Sequence, residues 1–174
     1  MLTERIAASR LRALALSGSH ERRALPLAAM PRLAELLAGE QQSNVTLDGR
    51  FVVDAADRLC LEAELSGELW LACQRCLGAV RWPVQLAVRL VVVEDEAAAQ
   101  ALDDPFDSLL LEAGELPLFR AMEDELLAAA PLVPRHAKGA ACRASAAGDG
   151  EPDGAAADTH RPFAGLQELL ARGR

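Results

Sequence analysis

From Asn44 the chain alternates. Val45, Leu47, Phe51 and Val53 fall on every second position, the period at which successive strand side chains point to opposite faces. An Asp48-Gly49 pair sits within the run, and Asp-Gly is a strong two-residue hairpin signal, so a turn is expected there. Leu59, Leu61, Ala63 and Leu65 alternate again, and Ser66-Gly67 allows a bend or bulge before Leu69 and Leu71 resume. The longest run is Val80, Trp82, Val84, Leu86, Val88, Leu90 and Val92, with Arg81, Gln85 and Arg89 between them. That pattern predicts a half-buried antiparallel strand with one solvated side. Pro83 has no N–H for a ladder, which predicts an edge position near the start of this strand.

Elsewhere the period lengthens. Leu25-Pro26-Leu27 reads as a short extended piece, after which Pro31 suits the first turn of a helix with Leu33, Leu36 and Leu37 on one face. The acidic stretch Glu94–Asp107 predicts a flexible loop, and Ser108–Leu111 one more short strand. Pro117 opens a helix running to about Ala130, with Leu118, Met122, Leu126 and Ala129 inward, and Pro131 and Pro134 end it. The predicted fold class is α+β, with an antiparallel sheet (about 44–93) packed with one main helix (about 117–130) and short terminal helices. Residues 1–23 are expected to form a flexible basic arm, 24–136 the domain, 137–160 a disordered Ala/Gly-rich linker, and 161–174 a short helix with Phe163, Leu166 and Leu170 as its apolar side. There are no internal repeats.

Composition narrows the function. The chain has 174 residues, enough for one domain with a core. With four Phe, two Trp and no Tyr, that core comes from Leu and Val, and few rings are left to stack on bases. The formal net charge of −8 argues against a generic polyanion binder. Its distribution is uneven: residues 1–35 hold six Arg against three Glu, and the rest of the chain 12 basic against 23 acidic side chains. Arg10, Arg12, Arg22 and Arg23 are therefore candidates for contact with RNA or an acidic protein surface, beside the plainer reading of a solvated N-terminus. Charges recur every few residues at the start, so neither a secretory signal nor a membrane span is expected. Four Cys in such a chain point to reduced thiols and a cytoplasmic protein.

The sharpest local feature is Cys73-Gln74-Arg75-Cys76, set between two strands. Two thiols at this spacing in a tight turn can chelate one metal ion, and alone they are half a zinc site. His136 and Cys142 could supply the other half, giving three thiolates and one imidazole around zinc. Reduced structural thiols are the competing reading, and a dithiol oxidoreductase a third. The third lacks the helix N-terminus that depresses the reactive thiol's pKa in thioredoxin-like pairs. Cys60, within a strand, reads as a small core residue. No nucleophile elbow, phosphate-binding Gly loop or dinucleotide fingerprint occurs, so neither a catalytic residue nor a small-molecule substrate is expected. Glu123-Asp124-Glu125 cannot converge on one ligand, because consecutive helical residues point about 100° apart. The three read as a solvated acidic face or a docking face for a basic partner.

Four pieces in fixed order carry a resemblance. They are Leu25-Pro26-Leu27; Cys73-Gln74-Arg75-Cys76-Leu77 before the long alternating strand; Met122-Glu123-Asp124-Glu125-Leu126-Leu127 running into Pro131-Leu132-Val133-Pro134, His136 and Cys142; and Pro162-Phe163-Ala164 with Leu166. Together they resemble the YceD family of large ribosomal RNA subunit accumulation proteins, from about residue 20 onward, with a slightly longer gap than usual between His136 and Cys142. The resemblance implies a non-enzymatic bacterial cytoplasmic factor needed for synthesis, processing or stability of large-subunit (23S) ribosomal RNA. Its expected partners are a large-subunit RNA precursor or a ribosomal or assembly protein. The alternative is a zinc-stabilised protein-interaction module that affects the RNA only indirectly.

Overall fold

The computed structural model describes residues 5–39, 42–102 and 107–137. The chain divides into two units, Met1–Cys142 and Arg143–Arg174, and every described residue belongs to the first. The linker expected at 137–160, beyond its first residue, and the helix expected at 161–174 lie outside the described residues.

In chain order the elements are β1 (Arg5–Ala7), α1 (Ala8–Ser17), β2 (His20–Ala24), a 3-10 turn (Leu27–Ala29), α2 (Pro31–Ala34), β3 (Asn44–Val53), β4 (Leu59–Ala72), β5 (Ala79–Val93), α3 (Glu96–Gln100), β6 (Asp107–Leu110), β7 (Glu115–Pro117) and α4 (Leu118–Ala129). Five strands form one sheet in the order β2-β3-β4-β5-β6, and β1 pairs with β7 in a separate two-stranded sheet. The fold class is α+β, as the alternation predicts. One strand departs from the antiparallel expectation: β6 runs parallel to β5, with Leu90 opposite Asp107 and Val93 opposite Leu110. A parallel neighbour needs a crossover of about a dozen residues, and the chain between Val93 and Asp107 has that length.

The inward residues of the sheet make one core with the helices. Val45, Leu47 and Phe51 of β3, Leu61, Leu65 and Leu69 of β4, and Val84, Val88 and Leu90 of β5 pack with Leu33 of α2 and Leu118, Met122 and Leu126 of α4. The opposite face holds charge ladders, among them Arg50 and Arg89 on either side of Glu62. Pro83 lies where β5 has β4 as its only neighbour among the described residues, since β6 covers Leu90–Val93.

Several expectations are corrected. Asp48-Gly49 is no turn: β3 runs straight through it, with Gly49 opposite Ala63. A Cβ at Gly49 would meet the Ala63 Cβ at 2.5 Å, so glycine answers a close approach between strands here, not a chain reversal. The reversal comes after Val53, where Asp54 Oδ1 accepts the N–H groups of Ala56 (2.9 Å) and Arg58 (3.0 Å). There is no bulge at Ser66-Gly67 either, because the β3–β4 register is unbroken. Gly67 has φ 153°, and a Cβ there would strike the Asn44 carbonyl.

The N-terminus is not a loose arm. Residues 5–24 are built into the fold as β1, α1 and β2, and Ile6 and Leu11 are buried in the main core. Within the expected acidic loop, Glu96–Gln100 is helical, capped by Asp95, whose carboxylate accepts the Ala98 N–H at 2.8 Å. Ala99 and Leu102 cover a second small core of Cys60, Val91 and Val93. Cys60 is thus a core residue, as expected. Ala129, expected inward on α4, is exposed. Among the described residues, no helix is long and apolar enough to cross a membrane.

Candidate functional site

The thiol pair lies at the tip of the β4–β5 hairpin. Ala72 ends one strand and Ala79 begins the next, so residues 73–78 must reverse the chain. Two hydrogen bonds shape the reversal: the Cys73 N–H donates to the Gly78 carbonyl and the Leu77 N–H to the Cys73 carbonyl, each at 2.9 Å. The second wraps the five residues 73–77 into one turn, which brings Cys76 back over Cys73, while Leu77 takes a left-handed conformation (φ 59°). Cys73 is fully buried and Cys76 half-buried.

His136 reaches this tip from the chain that follows α4. After α4 the Pro131–Pro134 segment turns back, and the Pro134 carbonyl accepts the Gln74 N–H at 2.9 Å. Two residues later the His136 Nε2 lies 2.8 Å from the Ala79 carbonyl. A carbonyl only accepts, so Nε2 carries a proton, and in the neutral ring Nδ1 keeps its lone pair. That lone pair faces Cys76 Sγ at 3.5 Å. Ligand atoms of Cys73, Cys76 and His136 all lie within 4.8 Å of one another.

These residues could hold a metal ion. Sulfur and nitrogen ligands at about 2.3 and 2.05 Å on a tetrahedral centre lie roughly 3.6 Å apart, which the Cys76–His136 spacing matches. A hydrogen-bond acceptor on the far ring nitrogen is the usual companion of a metal-binding histidine. The same 3.5 Å also suits a thiol hydrogen bond to nitrogen, so reduced thiols remain compatible with the geometry. The pair is flanked by strands, with no helix N-terminus to lower a thiol pKa. Cys142, the fourth expected ligand, lies outside the described residues.

The acidic triplet separates as helical geometry requires, and Glu123 corrects the expectation of a solvated face. It is 3% exposed. Its Oε1 accepts the Leu33 N–H at 3.0 Å, and its Oε2 accepts Arg32 Nε and Nη2 at 3.0 and 2.8 Å. Leu33 is the third residue of α2, whose first-turn N–H groups have no partner within the helix. A carboxylate 90 residues away in sequence therefore caps α2. Burial pushes the Glu123 carboxyl up, but the Leu33 N–H and the Arg32 guanidinium outweigh it and hold it below its ordinary value. Asp124, exposed, binds Arg32 Nη1 at 2.7 Å. Glu125 is half-buried, and burial, then the charges of Asp107 and Asp124, raise its carboxyl.

The four arginines are not one patch of equal members. Arg10 and Arg12 are exposed on α1. Arg22 lies 3.7 Å from the Asp48 carboxylate, and the Arg23 guanidinium stacks over the Phe119 ring, 5.1 Å from its centre. Sequence reasoning missed Arg32 as a site residue, and no local signal could have shown it, because its partners lie 91 and 92 positions away.

Comparison with curated proteins and with solved structures yields no match. The family profile described as large ribosomal RNA subunit accumulation protein YceD matches residues 61–170, from β4 through the Cys73/Cys76 tip and His136 to near the C-terminus. That stretch is more than half of the chain and contains the whole thiol–imidazole cluster, and the protein belongs to the YceD family.

Proposed function

We propose that this protein is a binding factor, not an enzyme, which supports synthesis, processing or stability of large-subunit ribosomal RNA by contacting an RNA precursor or a ribosomal or assembly protein. The observation that carries the reading is the family match over residues 61–170. The cysteine–histidine cluster suits a structural cross-link rather than a reaction centre, since the ligands come from a hairpin tip and from the chain after α4. Cys73, Cys76 and His136, with Cys142 as the fourth, would hold one zinc ion. When bound, the metal supplies a rigid junction between those two segments. Arg10, Arg12, Arg22 and Arg23 are the proposed RNA-facing residues, and Glu125, with the Arg32-paired Asp124 beside it, the carboxylate side offered to a basic protein partner. Glu123 is occupied by α2.

Depletion of the protein tests this directly. Mature large-subunit ribosomal RNA should fall relative to small-subunit RNA, and the wild-type chain should restore the ratio. A normal ratio in the depleted strain would sink the reading.

A further inference from the structure

The last strand of the main sheet, β6, has a second flank. No other described strand pairs with it. The Leu111 N–H donates to the Val93 carbonyl at 2.9 Å, and N–H groups alternate sides along a strand. Those of Ser108 and Leu110 therefore point away from β5, and among the described residues no backbone group meets them. Between this flank and α4 runs a cleft of about 200 Å³, lined by Ser108 and Leu110 on one side and Ala121, Asp124 and Glu125 on the other. It is smaller than the roughly 300–1,000 Å³ pockets that hold small molecules, and it suits side chains of an extended peptide.

The charges around the cleft are unequal in their pairing. Arg120, also at its wall, is held by Glu112 at 2.6 Å, and Asp124 is held by Arg32. Asp107 and Glu125 have no cation among the described residues. Glu125 is half-buried, with the charges of Asp107 and Asp124 both acting on it. Leu110, 40% exposed, adds an apolar contact beside them. An edge strand beside a helix, with two unneutralised carboxylates, matches one recognition mode: an added strand held by main-chain hydrogen bonds and sorted by its side chains.

We propose that the cleft between β6 and α4 takes an extended basic segment of a partner protein, which adds to the sheet as a sixth strand and sets an arginine or lysine against Glu125 and Asp107. RNA does not suit this surface, because carboxylates repel phosphate. A second copy of the chain does not either, since its own β6 edge carries the same two carboxylates and brings no cation to them. The proposal rests on the reading above only for the partner's ribosomal origin.

The test is a fluorescence anisotropy titration of the full chain with a labelled peptide of alternating arginine and valine. Saturable binding is expected, with none for the same peptide carrying glutamate in place of arginine. Leu110→Pro removes an outward N–H, a change that an edge strand accepts, and should weaken binding about tenfold. Asp107→Asn with Glu125→Gln should weaken it by about tenfold or more. Melting temperatures of both variants, measured alongside, should stay near wild type. Absence of peptide binding, or binding that neither variant weakens, overturns the proposal. If the peptide binds and the variants weaken it while depletion leaves the ribosomal RNA ratio normal, the docking cleft stands and the ribosomal assignment fails. A lowered ratio without peptide binding does the opposite: the ribosomal assignment stands and the docking cleft fails.

Discussion

Two ties hold segments that are far apart in sequence, and they use different chemistry. The Arg32–Glu123–Leu33 tie joins α2 to α4 through one buried carboxylate, with both of its oxygens bonded. The Cys73–Cys76–His136 cluster sets the β4–β5 tip against the chain beyond α4 through two thiols and an imidazole, with a carbonyl fixing the tautomer. The first is complete in itself, and its strength comes from satisfying a buried charge. The second has its ligands gathered but depends on what fills the space between them. Removing one member of the first should therefore cost a fixed amount under any condition near neutrality. The second should respond to chelators and to metal supply.

The largest effect is expected at the second tie. Protein purified without chelator should carry close to one zinc per chain, as read by metal analysis. Cys73→Ser should release it and lower the melting temperature by roughly 10 °C or more, as the loss of a metal site coupled to folding would. Metal-free protein with an unchanged melting temperature would leave the cysteines as structural thiols. The next effect is at the first tie. Glu123→Ala orphans the Leu33 N–H and should cost about 1–3 kcal/mol in denaturant unfolding. Arg32→Ala should cost less, because the guanidinium is half exposed. Equal costs for the two variants would mean that the ion pair, and not the helix cap, carries the stabilisation.

Acid separates the contributions further. Glu123 is held below its ordinary value, so its share of stability is present above about pH 4.5 and fades as pH falls through the lowered folded value. Glu123→Gln should flatten that part of the pH–stability profile. The smallest effect belongs to the exposed turn at Asp54, where the side-chain hydrogen bond from Arg58, then the Arg58 and Ala56 N–H groups, lower the carboxyl from 3.8 to about 2. Its contribution is complete above pH 3.8 and is lost between there and about 2. Asp54→Asn should remove pH dependence in that window alone. A change in the window above it would assign those protons to another group.

What could be read from sequence was what lies close in sequence. The strands announced themselves because alternation is local, and Cys73-Gln74-Arg75-Cys76 because a chelating pair needs only a turn. Asp48-Gly49 misled for a related reason: the dipeptide is a turn signal, yet Val45, Leu47 and Phe51 keep the same parity across it, as one continuous strand demands. The parallel direction of β6 leaves no mark in its four residues. The N-terminal segment looked loose because its anchors are sparse, chiefly Ile6 and Leu11, and its strand partner is distant. The Ala79 carbonyl, a main-chain group, has no residue type to betray it as the acceptor for His136.

The β1–β7 pair bears on how the chain is made. Arg5 lies opposite Pro117, so β1 waits for some 110 residues before its partner exists. At about 5–20 residues per second, that wait is roughly 5–20 seconds. Throughout it Ile6 has no finished strand pair to shelter it, whereas the β3–β4–β5 meander can assemble from neighbours as they emerge. The contact that closes the domain is thus of long sequence separation, which slows folding. A nascent chain stopped before Leu116 would keep its sheet while leaving its beginning unfastened.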